Sequence, residues 1–411
     1  MLSREVGTAV MEGVPLTIRT DVSGDDRSAS SCPLMLDREA ALLRSDPLLE
    51  SVLVYLRANP SRLLRVIWWL SKGRAHLVNE LAAVQSLAPV APSSRSSDEA
   101  AHIRSSSMRA EASSQFRESV KALRPHQWVK NLLVFVPIVL AGRFGDFSAV
   151  ASTILAFFAI GIIASATYLI NDMWDLVDDR AHWSKRHRPL ASGRLLISRA
   201  AMIAPVAILI GLLTGLMASL QVVAFLILYL VVTFAYTFGL KRILLIDGLV
   251  LAALYTIRVA LGTVAARVEP SAWLLLFSMF FFASLTYAKR YTEIARIVSR
   301  NGDLISGRGY HAVDAPLVLA IGFLTGLGAV VAICFYIIHD ALAQTFYGNP
   351  MALWGLPPLL IVPIARIWLK SYRGEMDDDP IHFVLTDRVC MGFTALMLAC
   401  FAFAWLGPNW S

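Results

Sequence analysis

Residues 149–194 read AVASTILAFFAIGIIASATYLINDMWDLVDDRAHWSKRHRPLASGR. The stretch changes character twice. Between 149 and 170 it carries no charge. That length matches the ~20 apolar residues a helix needs to cross a bilayer core. Lipid offers peptide groups no hydrogen-bonding partner, so such a run must be helical. It then meets Asp172, Asp175 and Asp179, followed by Lys185, Arg186 and Arg188. On a continuous helix the spacing i, i+3, i+7 puts the three carboxylates on one face. An apolar span that ends first in acids and then in cations sets the fold class. It predicts an all-α polytopic bundle with its chemistry at one membrane boundary.

The apolar run recurs along the chain, giving nine expected transmembrane helices: 131–142, 149–170, 201–219, 221–238, 243–265, 271–288, 315–337, 351–369 and 389–407. Composition agrees. Of 411 residues, 56% are hydrophobic and 16% are charged, against about a quarter charged in soluble domains. This excludes a disordered chain and argues against an ordinary soluble enzyme. The net charge of +7 is accounted for by loops. Lys121, Arg124 and Lys130 precede the first span. Arg180, Lys185, Arg186, Arg188, Arg194 and Arg199 follow the second, and Lys241 and Arg242 the fourth. Lys289, Arg290, Arg296, Arg300 and Arg308 follow the sixth, and Lys370, Arg373 and Arg388 the eighth. The opposite side shows Arg143 and Arg267. The positive-inside rule then predicts a multi-pass protein of the cell inner (plasma) membrane, N-terminus cytoplasmic and C-terminus outside. Nucleic acid is not an expected partner.

Four segments are expected: 1–32 disordered, 33–85 helical and amphipathic, 86–116 a Ser/Ala/Pro-rich linker, and 117–411 the membrane domain. No apolar signal segment opens the chain. Cys32, Cys334, Cys390 and Cys400 have no paired spacing, so neither a disulfide framework nor a zinc site is expected. His126, His182, His187 and His311 read as surface residues.

Three acids at a membrane boundary repel one another and call for a neutralising partner. Mg²⁺ shared with substrate phosphates is one, since Mg²⁺ takes one or two carboxylates and leaves the rest to phosphate and water. A solvated helix end paired with Arg180 is the plainer alternative. Asn171 flanks the acids, and the cations of Lys185 and Arg188 suit a polyphosphate. Lys130 and Asn131, beside Trp128, read either as an interfacial anchor or as substrate ligands. Tyr236, Lys241, Asp247 and Arg258 form a further group. A cation as deep in an apolar run as Arg258 faces a cavity or an ion-pair partner such as Asp247. Lys289, Arg290 and Glu293 can pair along one helix, or the two cations can face the acids as an anion-binding wall.

Asn171-Asp172-x-x-Asp175-x-x-x-Asp179-Arg180, followed by Lys185…Arg188-Pro189, resembles the first Asp-rich motif of the UbiA superfamily of intramembrane prenyltransferases. The resemblance covers about residues 117–411. It implies nine helices around a central cavity, Asp-rich loops on the cytoplasmic side, and Mg²⁺ held by Asp172, Asp175 and Asp179. A second acidic motif belongs after the sixth span, yet Ala288-Lys289-Arg290-Tyr291-Thr292-Glu293 stands there. That departure, with Arg124-Pro125-x-Gln127-Trp128-x-Lys130-Asn131, is similar to the decaprenyl-phosphate phosphoribosyltransferase branch. The branch implies transfer of 5-phosphoribose from phosphoribosyl diphosphate to a polyprenyl phosphate, toward a lipid-linked arabinofuranosyl donor. Lys130, Asn131, Arg180, Lys185, Arg188, Tyr236, Lys241, Arg258, Lys289 and Arg290 become the expected substrate ligands. Around Asp37-Arg38-Glu39, residues 33–85 weakly resemble a haloacid-dehalogenase-like domain with its Asp-x-Asp-Gly-Thr motif eroded. Two rivals are a prenyltransferase using Glu375-Met376-Asp377-Asp378-Asp379 as its second acidic run, and a transporter or scaffold. A homo-oligomer is compatible with the sequence.

Overall fold

The apolar runs fold as helices in the computed structural model, which describes residues 47–58, 62–85, 115–182, 184–298, 309–376, 383–384 and 386–406. The expected disordered N-terminus, Asp37 and Glu39, most of the 86–116 linker and the acids Asp377 to Asp379 lie outside those residues. A small unit comes first: α1 (Pro47–Ala58), α2 (Leu63–Ser71) and α3 (Arg74–Gln85). Val52, Tyr55, Val66, Trp69, Leu77 and Leu81 form its own core. Trp69 is buried there and not on a membrane-facing side, whereas Trp68 is exposed and holds Lys72 over its ring. Helix α4 spans 115–123, two residues earlier than the expected end of the linker.

The membrane domain continues with α5 (Val136–Leu140), α6 (Phe147–Trp174), α7 (Leu176–Ala181), α8 (Ile197–Ala218), α9 (Leu220–Phe238), α10 (Ile246–Ala265), α11 (Ala272–Val298), α12 (Ala315–Tyr336), α13 (Leu356–Tyr372) and α14 (Arg388–Leu406). Eight described helices are long and apolar enough to cross a membrane. Asp146 caps α6 by accepting from the Ala149 amide at 3.0 Å. Ser219 caps α9 the same way through Val222 at 3.1 Å and is the whole turn between α8 and α9. Side chains turned outward on α8 and α14, among them Met202, Leu213, Met217, Leu398 and Phe403, are exposed and apolar, as lipid contact requires.

The first of the nine expected spans differs. Instead of an α-helix over 131–142, Pro125–Phe135 form a 3₁₀ helix that continues into α5. Pro125 opens it and Pro137 removes an amide donor near the junction. At ~2.0 Å per 3₁₀ residue and ~1.5 Å per α residue, this short run still reaches roughly 30 Å. Its period of three aligns Trp128, Asn131 and Val134 on one side. Trp128 Nε1 donates to Ser165 at 3.0 Å, and Asn131 and Val134 are buried. Val129 and Leu132, between them, are exposed. A β-carbon on Gly262 of α10 would stand 2.1 Å from the Val134 carbonyl, so only glycine admits this segment so close.

Two buried clusters flank a central space. One joins the 3₁₀ segment, α6, α9 and α10, and the other joins α10 to α14. In the second, a β-carbon on Gly322 would overlap the Trp368 ring, and Trp368 Nε1 donates to Ser284 at 3.0 Å.

Candidate active site

A cavity of ≈320 Å³ opens between the two clusters. Arg124, Lys130, Arg258, Lys289 and Arg290 line it together with Asn171, three threonines of α6 and α9, Thr286, and Tyr168, Tyr229, Tyr236 and Tyr255. No carboxylate is among its lining residues. Leu251, Leu254, Phe282 and Leu285 supply an apolar side. A concave wall with five cations and many hydroxyls suits a polyanion, and the apolar side suits a hydrocarbon chain.

The acids stand at the mouth rather than on the wall. The expected continuous acidic face is broken, because α6 ends at Trp174, Asp175 is its C-cap, and α7 begins at Leu176. Asp172 is buried and accepts from Arg124 Nη2 at 2.6 and 2.7 Å and from Arg188 Nη1 at 3.0 Å. The same Arg188 nitrogen donates to Asp179 at 2.5 Å, with Lys185 Nζ at 4.0 Å from that carboxylate. Asp175 turns the other way and accepts from Lys241 Nζ at 2.6 and 2.8 Å. Burial pushes the Asp179 carboxyl above its ordinary value, against the nearby Arg188 charge. The loop beyond α7 is itself folded. Leu190 and Leu195 are buried, Gly193 takes φ 71°, and Ser192 Oγ donates to the Arg188 carbonyl at 2.8 Å. Arg124, at φ 52°, turns the chain from α4 into the 3₁₀ segment and brings its guanidinium onto Asp172.

Arg258 does not pair with Asp247. Its Nε donates to Asn131 Oδ1 at 2.9 Å, Nη1 to the Leu254 carbonyl at 2.6 Å, and Nη2 to the Tyr229 hydroxyl at 3.0 Å. The rings of Tyr229 and Tyr255 lie beneath the guanidinium. Among the described residues no carboxylate balances it. Asp247 instead takes Arg290 Nε at 2.6 Å and the Tyr310 hydroxyl, while Arg290 Nη1 reaches Glu293 at 2.8 Å. Arg290 therefore borders the cavity with its charge already matched by two acids, whereas Lys289 is a half-buried wall residue. Arg180 is not on the cavity wall. It pairs with Glu50 and donates to the Ala191 carbonyl at 3.3 Å.

The sequence reading placed Arg124 only in a basic set, and it missed Tyr168, Tyr229, Tyr255, Thr167, Thr233 and Thr237. A signal was present in α9. Tyr229, Thr233, Tyr236 and Thr237 follow i, i+4, i+7, i+8, a polar stripe in an apolar run.

The donor set is all oxygen, as a hard cation prefers. Among the described residues, however, no three acidic, histidine or cysteine side chains converge on one point. A metal here would have one or two of these carboxylates as its protein ligands.

The UbiA prenyltransferase family profile matches residues 132–386. The uncharacterized protein y4nM of Sinorhizobium fredii is 38% identical over 294 residues, 72% of this chain but 57% of that protein's own length. The nodulation protein NoeC of Azorhizobium caulinodans is 32% identical over 276 residues, 66% of this chain and 88% of that protein. The decaprenyl-phosphate phosphoribosyltransferase of Mycobacterium tuberculosis is 29% identical over 291 residues, 70% of this chain and 91% of that enzyme. A UbiA homolog from Archaeoglobus fulgidus, solved with GPP and Mg²⁺, shares the fold at a TM-score of 0.50 and 13% identity, covering 70% of this chain and 98% of its own. With its profile match across most of the membrane domain, this multi-pass membrane protein is a transferase that belongs to the UbiA prenyltransferase family.

Proposed function

We propose that the chain transfers 5-phosphoribose from phosphoribosyl diphosphate to a polyprenyl phosphate. The observation that carries this reading is the cavity wall, which bears five cations, Arg124 and Arg290 among them paired with acids behind it, and no acidic side chain of its own. A donor with a diphosphate and a separate 5-phosphate, meeting an acceptor with its own phosphate, brings more negative charge than a prenyl diphosphate does. The place where a second acidic motif would hold a second metal carries Lys289 and Arg290 instead. Similarity to the mycobacterial phosphoribosyltransferase supports the same choice.

In the reaction an oxygen of the acceptor phosphate bonds to C1 of ribose while the C1–O bond to diphosphate breaks, and its electron pair leaves with diphosphate. The attacking oxygen is already anionic, so no strong general base is needed. Arg124, Lys130 and Lys289 stand where negative charge on the phosphates can be met, and such preorganised charge is the largest expected catalytic term. Arg258, with the Asn131 and Tyr229 bonds fixing its plane, holds a phosphate deep in the cavity. Asp172 and Asp175, here paired with Arg124 and Lys241, are the residues that would hold Mg²⁺, which would supply Lewis-acid stabilisation of the leaving diphosphate. Arg188 and Lys185 keep Asp172 and Asp179 in place at the mouth. The polyprenyl tail follows the apolar side into lipid. The basic loops support a mouth on the cytoplasmic side of the inner membrane. The product is a precursor of a lipid-linked arabinofuranosyl donor, for a cell-wall arabinan or another arabinosylated glycolipid or signal molecule.

Purified protein is given labelled phosphoribosyl diphosphate, polyprenyl phosphate and Mg²⁺. Label in the lipid phase is the expected result. Turnover of a prenyl diphosphate with no lipid-linked label assigns the protein to prenyl transfer instead, and inactivity with both assigns it to transport or scaffolding.

A further inference from the structure

Helix α1 packs on α6 and α8 and is ion-paired to α7, the acid-bearing helix that lies between them in sequence. Glu50 and Arg57 lie seven residues apart on α1, two turns along one face. Glu50 pairs with Arg180, and Arg57 pairs with Asp178. The two bridges have opposite polarity, so the helix fits in one direction and one register. Between them Leu49 and Leu53 pack on the cluster that contains Leu169, Leu176 and Leu190. Both partners belong to α7, and they bracket Asp179, the residue that shares Arg188 with Asp172. A six-residue helix has little stability of its own and takes its orientation from what it is packed against. On its other flank, Glu118 of α4 holds Arg194 at 3.2 Å, so the loop is braced from two sides.

We propose that Glu50 and Arg57 are positioning residues for the mouth of the cavity: the N-terminal unit clamps α7 and thereby sets the affinity for the donor's diphosphate. The choice of diphosphate as ligand rests on the transfer reading, while the clamp itself does not. Asp178 and Arg180 have their task in this contact rather than on substrate. Substitutions in α1 therefore change ligand affinity at a distance without touching the cavity wall.

The test uses the full chain in detergent, with Mg²⁺ and inorganic diphosphate, the leaving group of phosphoribosyl and prenyl transfer alike, as probe. Arg57→Glu weakens diphosphate binding about three- to tenfold, the size of a partly exposed ion pair turned to repulsion, and leaves the thermal midpoint of the bundle in place. Amide hydrogen exchange across 176–181 rises in the same variant. Arg57→Glu combined with Asp178→Arg restores both within about twofold, since the pair is re-formed with its signs exchanged. Glu50→Gln, which removes the other bridge without a clash, gives a smaller change in the same direction. Unaltered binding and exchange in Arg57→Glu, or no recovery in the exchanged pair, overturns the clamp. Wild-type protein that does not bind diphosphate sinks the transfer reading instead, and the exchange measurement then decides the clamp alone.

Discussion

Replacing Arg258 by lysine separates charge from geometry at the back of the cavity. A guanidinium has five N–H groups in a fixed fork. Asn131, the Leu254 carbonyl and Tyr229 take three of them, which leaves two for a ligand. Lysine keeps the charge and gives up the fork. A hydrogen bond involving charged groups contributes about 1.5–3 kcal/mol. Losing one to a substrate phosphate then raises KM roughly ten- to a hundredfold, at about 1.4 kcal/mol per decade. Arg258→Met, of similar length and without charge, also strands Asn131 Oδ1 and the Tyr229 hydroxyl inside the bundle and adds a fall in thermal midpoint. The assay is steady-state transfer of label, with KM measured separately for phosphoribosyl diphosphate and the lipid phosphate, alongside thermal unfolding in detergent. Arg258→Lys with both KM values unchanged would refute the reasoning. A lowered midpoint with unaltered kinetics assigns Arg258 to stability alone.

Asp175→Asn lowers turnover by about a hundredfold or more while the thermal midpoint stays near that of the wild type, and wild-type turnover in this variant removes Asp175 from the site. Lys289→Glu raises KM for the donor, whereas an unaltered apparent affinity makes Lys289 a purely structural wall residue. Chelation with EDTA abolishes transfer and added Mg²⁺ restores it, and activity that survives exhaustive chelation eliminates the metal. Gly262→Ala drives a β-carbon against the Val134 carbonyl and costs about 1–3 kcal/mol as overpacking, read as a lower thermal midpoint, so an unmoved midpoint means the close approach is not there in solution.

The membrane helices were legible because a single rule governs them: a peptide group in lipid must bond within its own helix. Apolar runs alone therefore located eight long helices to within a few residues, apart from the extension of α11 to Val298. Where local geometry departs from the plain α-helix, the pattern was silent. In the 3₁₀ segment Asn131 and Val134 are buried three positions apart, a spacing that an α-helix also offers, so the pattern did not distinguish the two. The acidic face assumed one helix, and the break at Asp175 sent that carboxylate to Lys241. Partner choice across helices was illegible for a different reason. Asp247 and Arg258 fall on one face of α10 but about 16 Å apart along it, too far to pair, so Asp247 goes to Arg290 on α11 and Arg258 to Asn131. The contact of α1 with α7 joins residues more than a hundred positions apart, and nothing local in the sequence announces it.

The 3₁₀ segment has a consequence for how this chain can evolve. Trp128, Asn131 and Val134 form a straight rail, since each step along such a helix turns by about 120°. Exchanging a side chain on the outward edges, at Val129 or Leu132, leaves the rail seated. Adding or deleting a single residue between 128 and 134 swings everything on one side of the change by a third of a turn, taking Asn131 away from Arg258 or Val134 away from Gly262. This wall of the cavity therefore admits changes of spelling but not of length, and gaps among relatives should fall outside it.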